Sequence, residues 1–388
     1  MSSDVAAGGS LSARLGFPET AVEVGFSHPG VRHVMTAAGG TASFLVHLDD
    51  DRITDLEVDI GFGHRGFEFT CEQGSWFAAL PYVSRLGLAT GVLAETAYCG
   101  AVESLAGVPI PDRAIWGRML INELARVVDH ATRLGAVLNA LGLGEGAGVA
   151  HRLETLAINA LRAATGGGPF EGYVVPGGVT TGLSEGFAED WVDRRAALDA
   201  ELALLDRVAI RNPTVERRLR GVAPISADDA IAWGVTGPTL RAAGAPLDLR
   251  RDQPYLAYGA LDFDVPVGER GDGLDRLLVV VEEVRQSLGM IDQCHKLLTS
   301  LGAGEIRAAG SEDLQLAVGE GVSSVEASTG ELGFLLASDG GGLPRRVRCR
   351  APSFYNAQAL PVMLSGARLD DLLPTVALVH VVGPECDR

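Results

Sequence analysis

The stretch from Arg113 to Ala140 constrains the architecture most. Within it Ile115, Trp116, Met119, Leu120, Leu124, Val127, Val128, Ala131, Leu134 and Leu138 recur at three- and four-residue steps, the period of a long helix with a buried face. Pro111 and Asp112 mark its start, and the Gly-rich GLGEGAG marks its end. The same period returns at residues 152–165, stopped by GGGP, and at residues 188–209. It returns again at residues 272–298, where Leu274, Leu277, Leu278, Val281, Val284, Leu288, Ile291 and Cys294 face one way. ISADDAIAWG reads as a short helix capped by Ser226.

The two ends of the chain have a different period. Residues 20–60 read as strands: ASFLVHLDD and ITDLEVDIG alternate apolar and polar, joined by the turn DDDR. Near the C-terminus VSSVEAS and ELGFLLASDG read as a hairpin, SDGGG as a turn, RRVRCRAPS as a strand and NAQALPVMLSG as a helix. The expected class is α+β: a central long-helix bundle with a small N-terminal antiparallel sheet and a C-terminal α+β region. The expected divisions are a disordered tail over 1–20, the β region over 21–70, the bundle over 71–300 and the C-terminal region over 301–388.

Composition excludes several function classes. A net charge of −18 argues against binding nucleic acid, which needs clustered Lys and Arg. No run of about 18 apolar residues is present, so no membrane-spanning helix is expected. The five Cys form no Cys-x-x-Cys pair and the eight His no His-x-x-x-His spacing, so neither a disulfide scaffold nor a zinc-hydrolase site is expected. Glu68 and Glu72 lie one helical turn apart and could act as paired acids, but salt-bridged carboxylates are the simpler reading. His64 reads as a hydrogen-bonded core residue sooner than a ligand. GGTAS and GVTGP are Gly turns without a phosphate-binding lysine. The residues alone show no catalytic set.

IGFGHRGFE, INELARVVDHATRLG, GVAPISADDAIAWGVTGPTLRAAG, DLRRDQPYLAYGALDFDVPVGERGD, RLLVVVEEVRQSL, GELGFLLASDGGGLPRRVRCRAPSF and the ending ECDR resemble, in order, the D subunits of bacterial NADH:quinone oxidoreductases, the family of the mitochondrial complex I 49 kDa subunit. The resemblance runs from about residue 25 to the C-terminus. It implies a fold like that of nickel–iron hydrogenase large subunits and a peripheral-arm subunit at the cytoplasmic face of the cell membrane. It implies no cofactor on this chain; NADH, flavin, iron–sulfur clusters and quinone work on or with other subunits. The implied partners are the small subunit holding the terminal iron–sulfur cluster, a neighbour of the C type in the peripheral arm, the membrane-arm subunit that forms the quinone channel, and quinone itself. Hydrogenases hold nickel and iron on two Cys-x-x-Cys pairs. Here the first would fall within SRLGL and the second at the tail, where Cys386 stands alone, so the thiolates that chemistry needs are missing.

The family register also implies site residues. A family loop of the HPSTHG type reads HPGVRH here, making His28 and His33 the candidate quinone proton donors and putting Arg32 at the second His position. His64, Leu88 and Ala140 join Arg32 in the implied quinone cavity. Leu88 stands where the family has a proton-donating Tyr, and Ala140 where it has an orienting Asp. Arg85 and Phe170 are implied to face the cluster, Phe170 in place of a His; Arg85 could equally pair with Glu68 or Glu72. Quinone reduction needs hydrogen-bond donors and consumes two protons, and a leucine supplies neither. Two functions follow: a working quinone-site subunit of a proton-pumping complex, or a structural component that couples the cluster arm to the membrane arm with a divergent or lost quinone site.

Overall fold

In a computed structural model, which describes residues 21–25, 42–87, 90–166, 172–311 and 314–388, the periodic run at 113–140 is one helix. The bundle consists of α1 (Gly91–Ala106), α2 (Asp112–Ala140), α3 (Gly144–Ala164), α4 (Glu185–Leu205) and α5 (Gly273–Leu301). Helix α2 is the hub and packs on α3, α5 and the short helix Leu372–Val379. Its Met119, Leu120, Leu124, Val127, Leu134 and Leu138 are fully buried, each worth about 1.5–3 kcal/mol of transfer free energy. As expected, Ser226 caps its helix by accepting from the Asp229 amide at 3.1 Å, and Asp272 caps α5 through the Asp275 amide at 2.9 Å.

Three boundaries differ from expectation. GLGEGAG does not separate two helices by its length, because α3 already begins at Gly144. A Cβ on Gly146 would stand 3.1 Å from Ala209 Cβ and 3.3 Å from Leu138 Cδ1, so the glycine permits close packing instead of ending the helix. NAQALPVMLSG is split into Pro352–Gln358 and Leu360–Leu364, since Pro361 has no N–H to continue the first helix. Leu278 is exposed. At 100° per residue it lies roughly a quarter-turn from the centre of the α5 stripe, and Glu283 and Ser287 are buried on the opposite flank.

The N-terminal sheet is antiparallel in the order β1 (Ala21–Val24), β2 (Ser43–Asp49), β3 (Arg52–Asp59). A bulge at His47/Leu48 shifts the pairing, which lets both Ile53 and Leu56 point inward despite their three-residue spacing. The outer edge of β3 is closed by residues 366–369: Ile53 N donates to Ala367 O, and Gly366 N to Ile53 O, both at 2.8 Å. A two-residue-strand hairpin, β4 (Val174–Val175) and β5 (Gly178–Val179), links α3 to α4. The C-terminal sheet is β6 (Gly319–Ala327), β7 (Gly330–Ser338), β8 (Arg346–Arg350), again antiparallel. The free edge of β8 is closed by side chains. Glu68 accepts from the Cys349 amide at 2.9 Å and Glu72 from the Val347 amide at 3.0 Å.

The β6–β7 turn is Ser328–Thr329, and it is buried at the centre of the molecule. Gly237, at φ 73°, makes room for it: a Cβ there would lie 2.6 Å from Gly330 Cα and 2.7 Å from Thr329 O. Both obstacles are backbone and cannot swing away. Gly237→Ala is expected to cost roughly 2–3 kcal/mol, read by chemical unfolding of the purified chain.

Candidate functional site

Three segments meet at the C-terminal tail. The Asp387 carboxylate accepts from the Gly61 amide at 2.7 Å and the Gly63 amide at 2.8 Å, and its carbonyl lies 3.2 Å from His64 Nδ1. The preceding turn, Gly383–Cys386, packs on the turn Ser84–Leu86. Arg85, on that second turn, is exposed and donates to the Pro81 carbonyl at 2.8 Å. Phe62, Phe69 and Tyr82 are exposed on the same stretch of chain. The tail thus pins the 61–66 loop against the entry to residues 84–90.

Immediately inside the tail sits Glu385, 1% exposed. It accepts from Ser353 Oγ at 2.5 Å, Ser353 N at 3.1 Å and Thr329 Oγ1 at 3.1 Å. None of these partners is a cation. Burial pushes the carboxyl up to about 7 against the pull of the Ser353 and Thr329 bonds, with the Asp129 charge adding to the rise. Deeper still, Asp129 accepts from Ser328 Oγ at 2.5 Å and pairs with His380 Nε2 at 3.1 Å. Arg133 donates to Ser328 O at 2.8 Å.

From there an ionic network crosses the core. His130 Nε2 lies 2.9 Å from Glu283, and Glu283 lies 2.7 Å from Arg241. Arg241 also binds Glu326 at 2.7 Å. Arg250 joins Asp248 at 2.7 Å to Glu123 at 3.2 Å. Glu123 further accepts from Tyr258 and Ser287, both at 2.7 Å, and from Arg126 at 3.1 Å. Burial raises Glu123, but Arg126, Arg250 and the two hydroxyls outweigh it and hold the carboxyl below its usual range. Glu283 is likewise held low, by Arg241 and His130 against burial. Glu326 is the exception, since its burial exceeds the effect of Arg241. Burial brings His130 down to about 4, so at neutral pH its Nε2–H donates to Glu283 and the neutral ring keeps a bare Nδ1. The network ties α2, α5, residues 241–258, the hairpin turn and the tail into one unit.

A sequence model of the family "Respiratory-chain NADH dehydrogenase, 49 Kd subunit" matches residues 149–310 and 306–388. The first of two D subunits of the NADH-quinone oxidoreductase of Anaeromyxobacter dehalogenans is 35% identical over 407 residues, which cover 98% of this chain and 92% of the relative. The D subunit of the Myxococcus xanthus oxidoreductase is 35% identical with 97% and 95% covered. The chain belongs to the respiratory NADH dehydrogenase 49 kDa subunit family. As a member it is one subunit of a multisubunit oxidoreductase. It is also 35% identical to a Bdellovibrio bacteriovorus relative named as a combined C/D subunit, of which it covers 67%. The family model begins only at residue 149, so the relation of the 61–66 loop and the 84–86 turn to the family rests on the full-length relatives. Among the described residues no helix is long and apolar enough to cross a membrane.

Of the residues singled out by family register, His64 and Arg85 come to the same C-terminal turn. Ala140 ends α2, about 16 Å along the helix axis from Asp129. His28, Arg32, His33, Leu88 and Phe170 lie outside the described residues. His64 is an exposed residue and not the core histidine the sequence suggested. The carboxylates proposed for Arg85 are taken by others: Glu68 by Arg348 at 2.8 Å and Glu72 by Arg346 at 3.3 Å. These pairs make Glu68 and Glu72 docking groups for β8, as the simpler reading had it. Gly182-Leu183-Ser184-Glu185-Gly186 has nucleophile-elbow spacing, which the sequence reading passed over. Ser184 precedes α4 and donates to the Ala163 carbonyl, the work of a helix-start hydroxyl. The Cys386 thiol is raised by burial and by Glu385 and Asp387, which disfavours the thiolate a metal requires.

Sequence reasoning missed the network and Glu385. The signal for the first was in INELARVVDHATRLG: its apolar residues spread around too much of the helix to leave Glu123, Arg126, Asp129, His130 and Arg133 a solvent face. The signal for the second was an acid closing the apolar run LLPTVALVHVVGPEC.

Proposed function

We propose that this chain is the quinone-site subunit of a proton-pumping NADH:quinone oxidoreductase, passing electrons from the iron–sulfur cluster of a neighbouring small subunit to quinone. The observation that carries this reading is near-full-length kinship with the D subunits of NADH-quinone oxidoreductases. The convergence of the 61–66 loop, the Arg85 turn and the tail supports it, because those are the segments that family register assigns to the cavity. Arg85 supplies a fixed positive charge where electrons arrive, which favours the reduced form of a cluster. His28 or His33 supplies protons to the quinone oxygens as charge develops there. The relatives named as combined C/D subunits support a protein of the C type as a neighbour. The assembly would sit on the cytoplasmic face of the cell membrane, with a membrane-arm partner delivering quinone.

Quinone-dependent NADH oxidation by the purified assembly tests this. Turnover with ubiquinone or menaquinone analogues is expected, and none with any of them would refute it. The alternative, a structural component with a lost quinone site, draws on Leu88, Ala140 and Phe170. Leu88→Tyr separates the two. A restored phenol at a working site should raise turnover roughly ten-fold or more, the lower end being typical of a modest general acid; a purely structural role would show no change.

A further inference from the structure

We infer that Glu385 is the proton-coupling carboxyl of this site, binding a proton when an electron arrives beside the tail and releasing it as quinol forms. This rests on the quinone-site reading above. Glu385 is buried, and its carboxylate meets only the Ser353 and Thr329 hydroxyls and the Ser353 amide. Buried carboxylates ordinarily acquire a cation partner; in this chain Glu123, Asp248 and Glu283 each have one within 3.2 Å. Glu385 therefore has two accessible states, and hydroxyls can serve both, donating to the carboxylate or accepting from the acid.

Its placement connects those states to electron transfer. The next two residues, Cys386 and Asp387, lead directly to the Gly61 and Gly63 amides and to His64. Its own turn packs on Ser84–Leu86, one residue from the position before Leu88. The charged and titratable groups around it are Asp129 and Arg133 from α2, Cys349 from β8, and Cys386, Asp387 and Arg388 from the tail. Beyond them His380 is engaged by Asp129 and Arg85 is exposed on the facing turn. No cation in this set bonds Glu385, so added negative charge nearby shifts it toward the acid. The proton balance closes. Quinone takes two electrons, delivered from NADH through the neighbouring cluster, and two protons. Glu385 gives up one as carboxyl becomes carboxylate, and water restores it; the other comes from the donors already named.

The test is Glu385→Gln in the purified complex, since glutamine keeps the shape and can still bond Ser353 and Thr329 but cannot release a proton. The expected result is a fall of at least ten-fold in kcat with quinone and loss of the pH limb centred near neutrality. NADH oxidation with a soluble one-electron acceptor that bypasses quinone should be unchanged, and Glu385→Asp should regain part of the rate. Redox-difference infrared spectra on reducing the cluster should show a carboxyl band that is present in the wild type and absent in E385Q. A variant that keeps both the rate and the pH limb, or a carboxyl band that survives E385Q, overturns the assignment. If the wild type shows no quinone turnover, the functional reading fails, and the infrared band still decides whether Glu385 titrates with electron arrival.

Discussion

Replacing Arg241 with leucine is expected to cost the isolated chain at least 3–5 kcal/mol, the range for breaking a buried ion pair by removing one partner. Arg241 has no exposed surface and faces three buried carboxylates, with Glu283 and Glu326 at 2.7 Å and Asp248 at 3.7 Å. The three would not suffer equally. Asp248 retains Arg250 and Glu283 retains His130. Glu326 retains only the Leu249 amide at 3.1 Å. It is also the one of the three whose carboxyl is already raised by burial, so it would bind a proton in the variant. A group raised in the folded state stabilises below its unfolded pKa and loses that contribution as pH rises. Arg241→Leu should therefore be less damaging at pH 5 than at pH 8. Arg241→Leu combined with Glu326→Leu should recover part of the loss, because it removes the charge left without a partner. Chemical unfolding of the four proteins of this cycle at both pH values checks the account. Equal losses at both pH values and no recovery in the double variant would contradict it.

The second large effect is a pair of opposed pH dependences. His130 is lowered from 6.5 to about 4 by burial. Its contribution is complete above pH 6.5 and is lost as pH falls toward 4, because the unfolded chain takes up the proton first. Glu385 is raised from 4.5 to about 7. Its contribution is complete below pH 4.5 and is lost as pH rises through 7. Each shift corresponds to about 3 kcal/mol at 1.36 kcal/mol per unit. Between pH 4.5 and 6.5 the two slopes cancel in the wild type. Glu385→Gln should unmask His130, so stability climbs by about 3 kcal/mol from pH 4 to 6.5. It should also make the variant more stable than the wild type above pH 7. Unfolding free energies across this pH range, taken as differences between E385Q and wild type, isolate the effect from other titrating groups. A difference that does not vary with pH would show that Glu385 is not protonated in the folded chain.

How much of this the sequence disclosed depended on whether a feature is local. The period of α2 and α5, the hairpin of β6 and β7 and the Ser226 cap are set by neighbours in the chain, and they stand in the structure as read. Leu278 and the GLGEGAG junction were misplaced because their surroundings are decided by packing partners distant in sequence, such as Ala209 against Gly146. The buried charges were illegible for the same reason. Glu123 meets Arg250 and Ser287 across 127 and 164 residues, and a helix with alternating charges looks solvated until its cover is known. Glu385 was visible only as part of a terminal motif. Its lack of a cation depends on the β6–β7 turn reaching the core and on the Ser353 hydroxyl, neither of which is near it in sequence.

Labelling the purified assembly with a photoreactive quinone, followed by peptide mapping, tests most directly whether quinone is reduced against this chain, where the tail, the 61–66 loop and the Arg85 turn meet. Labels are expected on this chain within residues 26–41, 61–66, 84–90 or 383–388, and they should be displaced by excess unmodified quinone. Displaceable label confined to other subunits, or on this chain only at distant surfaces such as α4, would contradict the account.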